Sequence, residues 1–113
     1  MPEDKLVILW TSGDREVALK MVFMYAGNAP RHGWWDDITL IVWGPSATLL
    51  AEDEELQDLL VGLKNEGVRL EACKACAEMC GVSDRLTALD VDVKYMGEAL
   101  TSYIKEGRRL LTI

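Results

Sequence analysis

Three cysteines lie within eight positions of this 113-residue chain, and the chain has no others: Cys73, Cys76 and Cys80. A deprotonated thiol binds metal ions, exchanges with disulfides and carries sulfur, so this cluster is the strongest chemical signal in the sequence. Four interpretations are open. They are a metal site, a dithiol redox pair, a thiol that carries sulfur as a persulfide, and small apolar side chains that only pack.

The spacing of the cysteines does not favour a metal. Zinc takes four ligands, CxxCxxxC supplies three, and the single histidine, His32, lies in a different loop. The CxxC formed by Cys73 and Cys76 is typical of a redox pair, but the surrounding thioredoxin pattern is missing. Cys80 is expected to pack inside a helix, whereas the position of Cys73 and Cys76 favours a function. No metal and no cofactor are predicted.

Apolar runs predict the sheet that positions these cysteines. "KLVILW" at Lys5–Trp10 and "ITLIVW" at residues 38–43 are typical of strands that are covered on both faces. Further strands are predicted at residues 68–72, 92–96 and 108–113. Helical patterns alternate with the strands, which indicates an α/β fold with three layers, α/β/α, and a mostly parallel five-stranded sheet.

Caps and apolar spacing predict the helices between the strands. The first helix covers about residues 14–26, with Thr11 or Ser12 as its N-cap, and residues 27–35 are predicted to form a loop. Ser83 is predicted to cap a later, short helix. The helix after the second strand, ended by Gly67, carries leucines at i, i+3, i+4 and i+7, and all four are assigned to the core: Leu56, Leu59, Leu60 and Leu63.

The cysteine segment begins where the third predicted strand ends. In parallel sheets, sites form just beyond the carboxyl ends of the strands. Cys73 is expected to end that strand, and Cys76 to fall in the first turn of the next helix, where unpaired N–H groups stabilise a thiolate. The loops "TSGD" and "WGPS" follow the first two strands at the same edge. Their predicted ligand-binding residues are Ser12, Gly13, Gly44 and Ser46.

Two adjacent tryptophans mark the predicted loop before the second strand. Trp34 and Trp35 are predicted to line a ligand pocket or to anchor an interface, with packing at the edge of the core as the alternative. His32, beside them, is interpreted either as a solvated side chain or as a general base for a thiol, if this loop folds over the cysteines.

Composition and charge exclude several classes of protein. The formal net charge of −7 argues against binding to a nucleic-acid backbone or to an anionic membrane surface. The first residues lack the basic region of a signal peptide, and no apolar window is long enough to span a membrane, so a cytoplasmic protein is predicted. The length suits one domain, residues 1–113.

The chain resembles the DsrE/DsrF family of small sulfur-relay-type proteins. The resemblance lies in a strand that ends in a cysteine and a short helix that closes on Gly-Val, within "LEACKACAEMCGV". It extends to "KLVILWTSGD", "ITLIVWGPSATLLAED" and "YMGEALTSYIKEGRRLLTI". It implies a sheet of order 4-3-2-1-5, a homo-oligomer that is a trimer or a hexamer, and a sulfur donor or acceptor protein as partner.

The resemblance also implies roles for the cysteines. By position, Cys73 matches the cysteine that carries the persulfide in relay members, eight residues before Gly81. Cys76 matches the second cysteine of a branch with CxxC. That branch has arginine directly before the glycine, where this sequence has Cys80. The expected function is therefore a persulfide carrier or sulfurtransferase-like protein, and the alternatives are a non-catalytic oligomeric binding module and a thiol redox protein.

Overall fold

The computed structural model of the protein describes residues 4–113, which form a five-stranded sheet flanked by helices. Every neighbouring pair of strands is parallel, and their order is β4-β3-β2-β1-β5. The predicted three-layer α/β fold and the strand order are therefore confirmed. The strands are β1 (Lys5–Trp10), β2 (Asp37–Val42), β3 (Arg69–Cys73), β4 (Asp92–Lys94) and β5 (Arg109–Thr112).

The helices are assigned as α1 to α6 in chain order. Helix α1 is made of the consecutive segments Arg15–Val17, Ala18–Phe23 and Met24–Arg31, of which the second is π-helical. Within residues 4–113, none of the helices has the length and apolar character to cross a membrane. The helices that follow α1 are α2 (Pro45–Glu52), α3 (Glu54–Asn65), α4 (Lys74–Met79), α5 (Ser83–Ala88) and α6 (Met96–Lys105).

The two faces of the sheet are covered unequally. Because side chains alternate along a strand, Ile8 and Trp10 of β1 enter the larger core, against α1, α2, α3 and α5. Val7 points to the opposite face and joins a smaller cluster with Ile41, Cys73 and Met96, the first residue of α6. The third strand therefore delivers its terminal cysteine to the face that α6 covers.

Helix α1 is longer than the sequence predicts. It continues to Arg31, so the loop expected over residues 27–35 is wrong for residues 27–31. Ala26 and Ala29 are fully buried, and a Cβ on Gly27 would lie 3.7 Å from the Leu63 side chain. These small residues let α1 pack closely on α3, and this packing outweighs the helix-breaking tendency of the segment.

The single helix predicted after β2 is two helices that meet at Asp53. The Asp53 backbone is extended, and its carboxylate accepts a hydrogen bond from the Leu56 N–H at 3.1 Å, which caps α3. Three of the four predicted core leucines are buried. Leu59 is 40% exposed beside Phe23 and Met24 of α1, so its assignment to the core is wrong.

The predicted N-caps are also corrected. Asp14 caps α1, because its carboxylate accepts hydrogen bonds from the N–H groups of Glu16 and Val17. Neither Thr11 nor Ser12 holds that position. Val82 precedes α5 as its N-cap residue, so Ser83 is the first residue of the helix and not its cap. A carboxylate that reaches two N–H groups competes well with a nearby hydroxyl for a cap position.

Candidate functional site at the carboxyl edge of the sheet

Cys73 and Cys76 lie at the junction of β3 and α4. Cys73 is the last residue of β3 and the N-cap residue of α4, and Cys76 falls in the first turn of that helix. Because the strands are parallel, the chain leaves β1 and β2 at the same edge, which places the loops after Trp10 and Val42 beside the cysteines.

The three thiols differ in their exposure to solvent. Cys73 is 5% exposed, Cys76 is half-buried and Cys80 is exposed. Cys80 follows α4 as its C-cap residue, so the expectation that it packs inside a helix is wrong. Helix α4 ends at Met79 and thus leaves the third thiol outside the core. The described structure therefore provides one buried thiol, one half-buried thiol and one exposed thiol within a single segment.

Cys73 and Cys76 are free cysteines whose side chains pack in the same small cluster. Burial raises the pKa of the Cys76 thiol, the hydrogen bond with Cys73 raises it further, and the backbone N–H of Gly44 acts in the opposite direction. The Cys76 side chain packs against the small cluster that contains Cys73, so the two thiols are neighbours. The result is a pair of adjacent free thiols, one buried and one half-buried.

Gly44, whose N–H lies near Cys76, has an unusual backbone conformation. Its φ is +74°, in the region that favours glycine, at the turn between β2 and α2. Its neighbour across the site is Gly13, where a Cβ would come within 3.1 Å of the Pro45 side chain. The two predicted loops are therefore in contact, and glycine at position 13 leaves room for that approach.

The two predicted serines shape this edge through hydrogen bonds. Ser46 is fully buried. Its Oγ donates to the Trp10 carbonyl at 2.6 Å and accepts from the Trp43 N–H at 3.1 Å. It thus ties the ends of β1 and β2 together. The Ser12 Oγ accepts from the Asp14 N–H at 3.1 Å and organises the start of α1.

The tryptophans and His32 lie at the other edge of the sheet. They precede β2, so a strand of six residues, about 17 Å long, separates them from the carboxyl edge. His32 stacks on Trp34 with 5.0 Å between ring centroids, and the Trp35 Nε1 donates to the Tyr25 hydroxyl at 2.9 Å. The structure therefore does not bring Trp34 and Trp35 to the cysteines, and the suggestion that His32 acts as a base for them is wrong.

The described cysteines do not converge on a metal. Among residues 4–113, the structure contains no group of three or more His, Cys, Asp or Glu side chains that could hold a metal ion. Cys76 contacts Cys73 on one side and precedes Cys80 by one helical turn on the other.

Comparison with protein families decides the identity of the fold. The model of the DsrE/DsrF-like family matches residues 4–113. The chain belongs to the DsrE/DsrF-like family. A search of the curated proteins found no match.

Solved structures of DsrE/DsrF-like fold agree with this assignment. The chain is 41% identical to BT1422, a conserved protein of unknown function from Bacteroides thetaiotaomicron, with a TM-score of 0.94, and the match covers 97% of this chain and 95% of that one. It is 20% identical to the ychN protein from E. coli, with a TM-score of 0.75 and coverage of 96% and 98%. It is 19% identical to MTH1491, a protein of unknown function from Methanobacterium thermoautotrophicum, with a TM-score of 0.78 and coverage of 96% and 98%. The last two likenesses concern the fold alone.

A polar cluster around the buried Glu71 lies on the same face of this DsrE/DsrF-like sheet as Cys73. The Glu71 carboxylate accepts hydrogen bonds from the Tyr103 hydroxyl and from the Lys94 Nζ, both at 2.7 Å. The hydrogen bond with Glu71 raises the pKa of Lys94, and burial, followed by Glu71, raises the pKa of Tyr103. Lys94 is also the register partner of Cys73 across the sheet.

Sequence reasoning missed this cluster, although a signal was present. Residues i and i+2 of a strand share a face, so "LEAC" already places Glu71 beside Cys73. The partners of Glu71 come from β4 and α6, which are 23 and 32 residues away along the chain. Their contribution fixes α6 over the small cluster that buries Cys73.

Proposed function

We propose that this DsrE/DsrF-like protein is a cysteine-dependent sulfur carrier of the sulfurtransferase-like kind, in which Cys73 bears a persulfide and Cys76 is its partner thiol. The observation that carries the proposal is the position of Cys73 at the end of β3, with Cys76 packed against the same small cluster, at the edge where parallel sheets form their sites. A protonated neighbour stabilises negative charge on the attacking sulfur, which is the arrangement expected of a nucleophile and its resolving thiol.

The loading step is a nucleophilic displacement at sulfur. The Cys73 thiolate attacks the outer sulfur of a donor persulfide, R–S–SH. The bond between the two donor sulfurs breaks, R–S⁻ leaves, and Cys73 becomes Cys73–S–SH. The Cys76 proton and the Gly44 N–H provide donors beside the sulfur atoms that carry charge during this exchange. The low exposure of Cys73 favours small donors over bulky ones.

The persulfide on Cys73 can then react in two ways. An acceptor thiolate that attacks the outer sulfur carries it away and regenerates the Cys73 thiolate. Alternatively, Cys76 loses its proton and attacks the inner sulfur, Sγ of Cys73. Hydrosulfide then leaves, and a Cys73–Cys76 disulfide remains. The second reaction reduces the sulfane sulfur to sulfide and oxidises two thiols, so electrons balance without a cofactor.

Persulfide loading with peptide mapping tests the proposal. The protein is exposed to an inorganic polysulfide, alkylated, and digested with trypsin, which cuts after Arg69, Lys74 and Arg85. Cys73 then lies alone on residues 70–74, while the other two cysteines share residues 75–85. We expect one added sulfur atom on the first peptide, removed by a reductant, because Cys73 is the proposed nucleophile.

Serine variants provide the controls for this experiment. Cys73→Ser is expected to abolish stable loading, because a hydroxyl cannot hold a persulfide, whereas Cys80→Ser is expected to load like the parent protein. Unchanged loading of Cys73→Ser would contradict the assignment. Absence of any adduct on the parent, with Cys73 and Cys76 slow toward an alkylating reagent, would instead support a binding module whose cysteines only pack.

Self-assembly is part of the proposal. Met21 and Met24 of α1 and Leu59 of α3 are large apolar side chains on the surface, with exposures of 40%, 57% and 40%. Apolar surface of this kind is typical of an interface between copies. We expect a homo-oligomer, a trimer or a hexamer, in light scattering coupled to gel filtration, and Met24→Glu is expected to shift it toward smaller species. A monomeric parent protein would refute this part.

A further inference from the structure

We propose that Cys80 is a third redox-active thiol of this site, which takes over the disulfide from Cys73 and presents it at the surface to a reducing thiol. The inference rests on the proposed function, because release of sulfide leaves Cys73 and Cys76 joined. That disulfide has to be reduced before Cys73 can accept sulfur again. Its Cys73 side is almost inaccessible, since the residue is 5% exposed below Met96.

Cys76 lies between the other two thiols. Its side chain contacts Cys73, and its carbonyl accepts the Cys80 N–H at 3.0 Å, one helical turn further on. The Cys80 backbone keeps helical angles, φ −87° and ψ −7°, so Cys76 and Cys80 share a helical face. A charge on Cys80 raises the pKa of Cys76, which is consistent with this proximity.

The distance between Cys76 and Cys80 permits a disulfide after a small movement. The Cβ atoms of residues i and i+4 in a helix are about 5–6 Å apart, and a disulfide needs about 4 Å. Cys80 is the residue at which α4 ends, and Gly81, with φ +70°, turns the chain away directly after it. The end of a helix adjusts more easily than its interior. The movement that brings the Cβ atom of Cys80 closer to that of Cys76 therefore occurs at the end of α4, where the backbone is less constrained.

The disulfide moves from Cys73 to Cys80 by thiol–disulfide exchange, a step with no net oxidation or reduction. The Cys80 thiolate attacks Sγ of Cys76 in the Cys73–Cys76 disulfide. A Cys76–Cys80 bond forms, the Cys73–Cys76 bond breaks, and Cys73 leaves as a thiolate. One disulfide is present before and after the step, so no external oxidant is needed. A dithiol protein then reduces the new bond and is itself oxidised to a disulfide.

The surroundings of Cys80 suit a bulky reductant. Cys80 is exposed, and its neighbour Met79 is 87% exposed, so a protein surface can approach this end of α4. In the Cys73–Cys76 disulfide, by contrast, the Cys73 sulfur is buried and the Cys76 sulfur is half-buried. The exchange therefore frees Cys73 for a further cycle and moves the disulfide to Cys80, the most exposed of the three thiols.

Disulfide mapping of the oxidised 113-residue chain tests the exchange. Free thiols are first alkylated, and trypsin together with a protease that cuts after glutamate then places each cysteine on its own peptide. These peptides are residues 72–74, 75–78 and 79–85. After polysulfide treatment we expect two linked species, 72–74 with 75–78 and 75–78 with 79–85, and the second is expected to increase with time. A first species that persists alone would overturn the inference.

Reduction kinetics provide the second readout. With reduced thioredoxin as the protein probe, Cys80→Ser is expected to slow reduction of the oxidised protein roughly tenfold, whereas small dithiothreitol should reduce both proteins at similar rates. Met79→Ser, a matched surface change at the adjacent residue, is expected to keep the rate of the parent. Equal thioredoxin rates for the parent and Cys80→Ser would overturn the inference. A persulfide on Cys73 in the same samples would show that the proposed function itself still stands.

Discussion

The Cys76→Ser variant is expected to accumulate persulfide on Cys73 and to release almost no sulfide. Serine keeps a hydroxyl that can donate a hydrogen bond to the Cys73 sulfur, so the nucleophile retains its neighbour. A hydroxyl does not attack a persulfide, however, so the Cys73–Cys76 disulfide cannot form. We expect sulfide release at least about tenfold below that of the parent, because only the slower transfer to external thiols remains.

Two measurements check this expectation on the same samples. Sulfide is trapped and quantified after a short exposure to polysulfide, and the tryptic peptide of residues 70–74 is examined for an added sulfur atom. Cys80→Ser serves as the matched control, since it also removes one thiol of the segment but leaves Cys73 and Cys76 intact. Sulfide release by Cys76→Ser at the rate of the control would exclude Cys76 as the resolving thiol.

Leu60→Ala is expected to lower the free energy of unfolding by about 2–5 kcal/mol. Leu60 is fully buried on the face of α3 that enters the larger core, so its truncation removes apolar contacts and leaves a cavity. Leu59→Ala changes the same residue type one position earlier. Because Leu59 is 40% exposed, its truncation is expected to cost about 1 kcal/mol or less.

Urea unfolding of both variants, followed by circular dichroism, gives the two free energies under matched conditions. If the protein is an oligomer, the comparison is made at one protomer concentration. The pair decides which face of α3 forms the core. A larger loss for Leu59→Ala than for Leu60→Ala would reverse that assignment, and would indicate that an interface covers Leu59 in the assembled protein.

Much of the fold follows from local patterns in the sequence. "KLVILW" predicts β1 to the residue, because a continuous apolar run suits a strand covered on both faces. The bounds of the remaining strands are predicted within one or two residues. The sequence also predicts that β3 ends at Cys73 and that the cysteines lie at the carboxyl edge of the sheet. The resemblance to the DsrE/DsrF family follows from the same segments.

Predictions failed where a short segment carries two opposed signals. Gly27 and Pro30 are typical of a loop, yet α1 continues through both because Ala26 and Ala29 pack against the core. Cys80 follows a helical pattern, yet the helix ends just before it. Helix ends depend on a few competing contacts of small energy, and the sequence does not rank those contacts.

The sequence by itself thus determined the alternation of strands and helices, the CxxC at a strand-to-helix junction and the resemblance to the family, and that resemblance implied the order of the strands. Only the tertiary structure decided what surrounds the thiols. It placed the Gly44 N–H at Cys76, buried Cys73 under α6, and separated His32 from the cysteines by the length of a strand. The physical reason is that burial and hydrogen bonding of a thiol depend on residues distant in the chain, whereas strand patterns depend on neighbours.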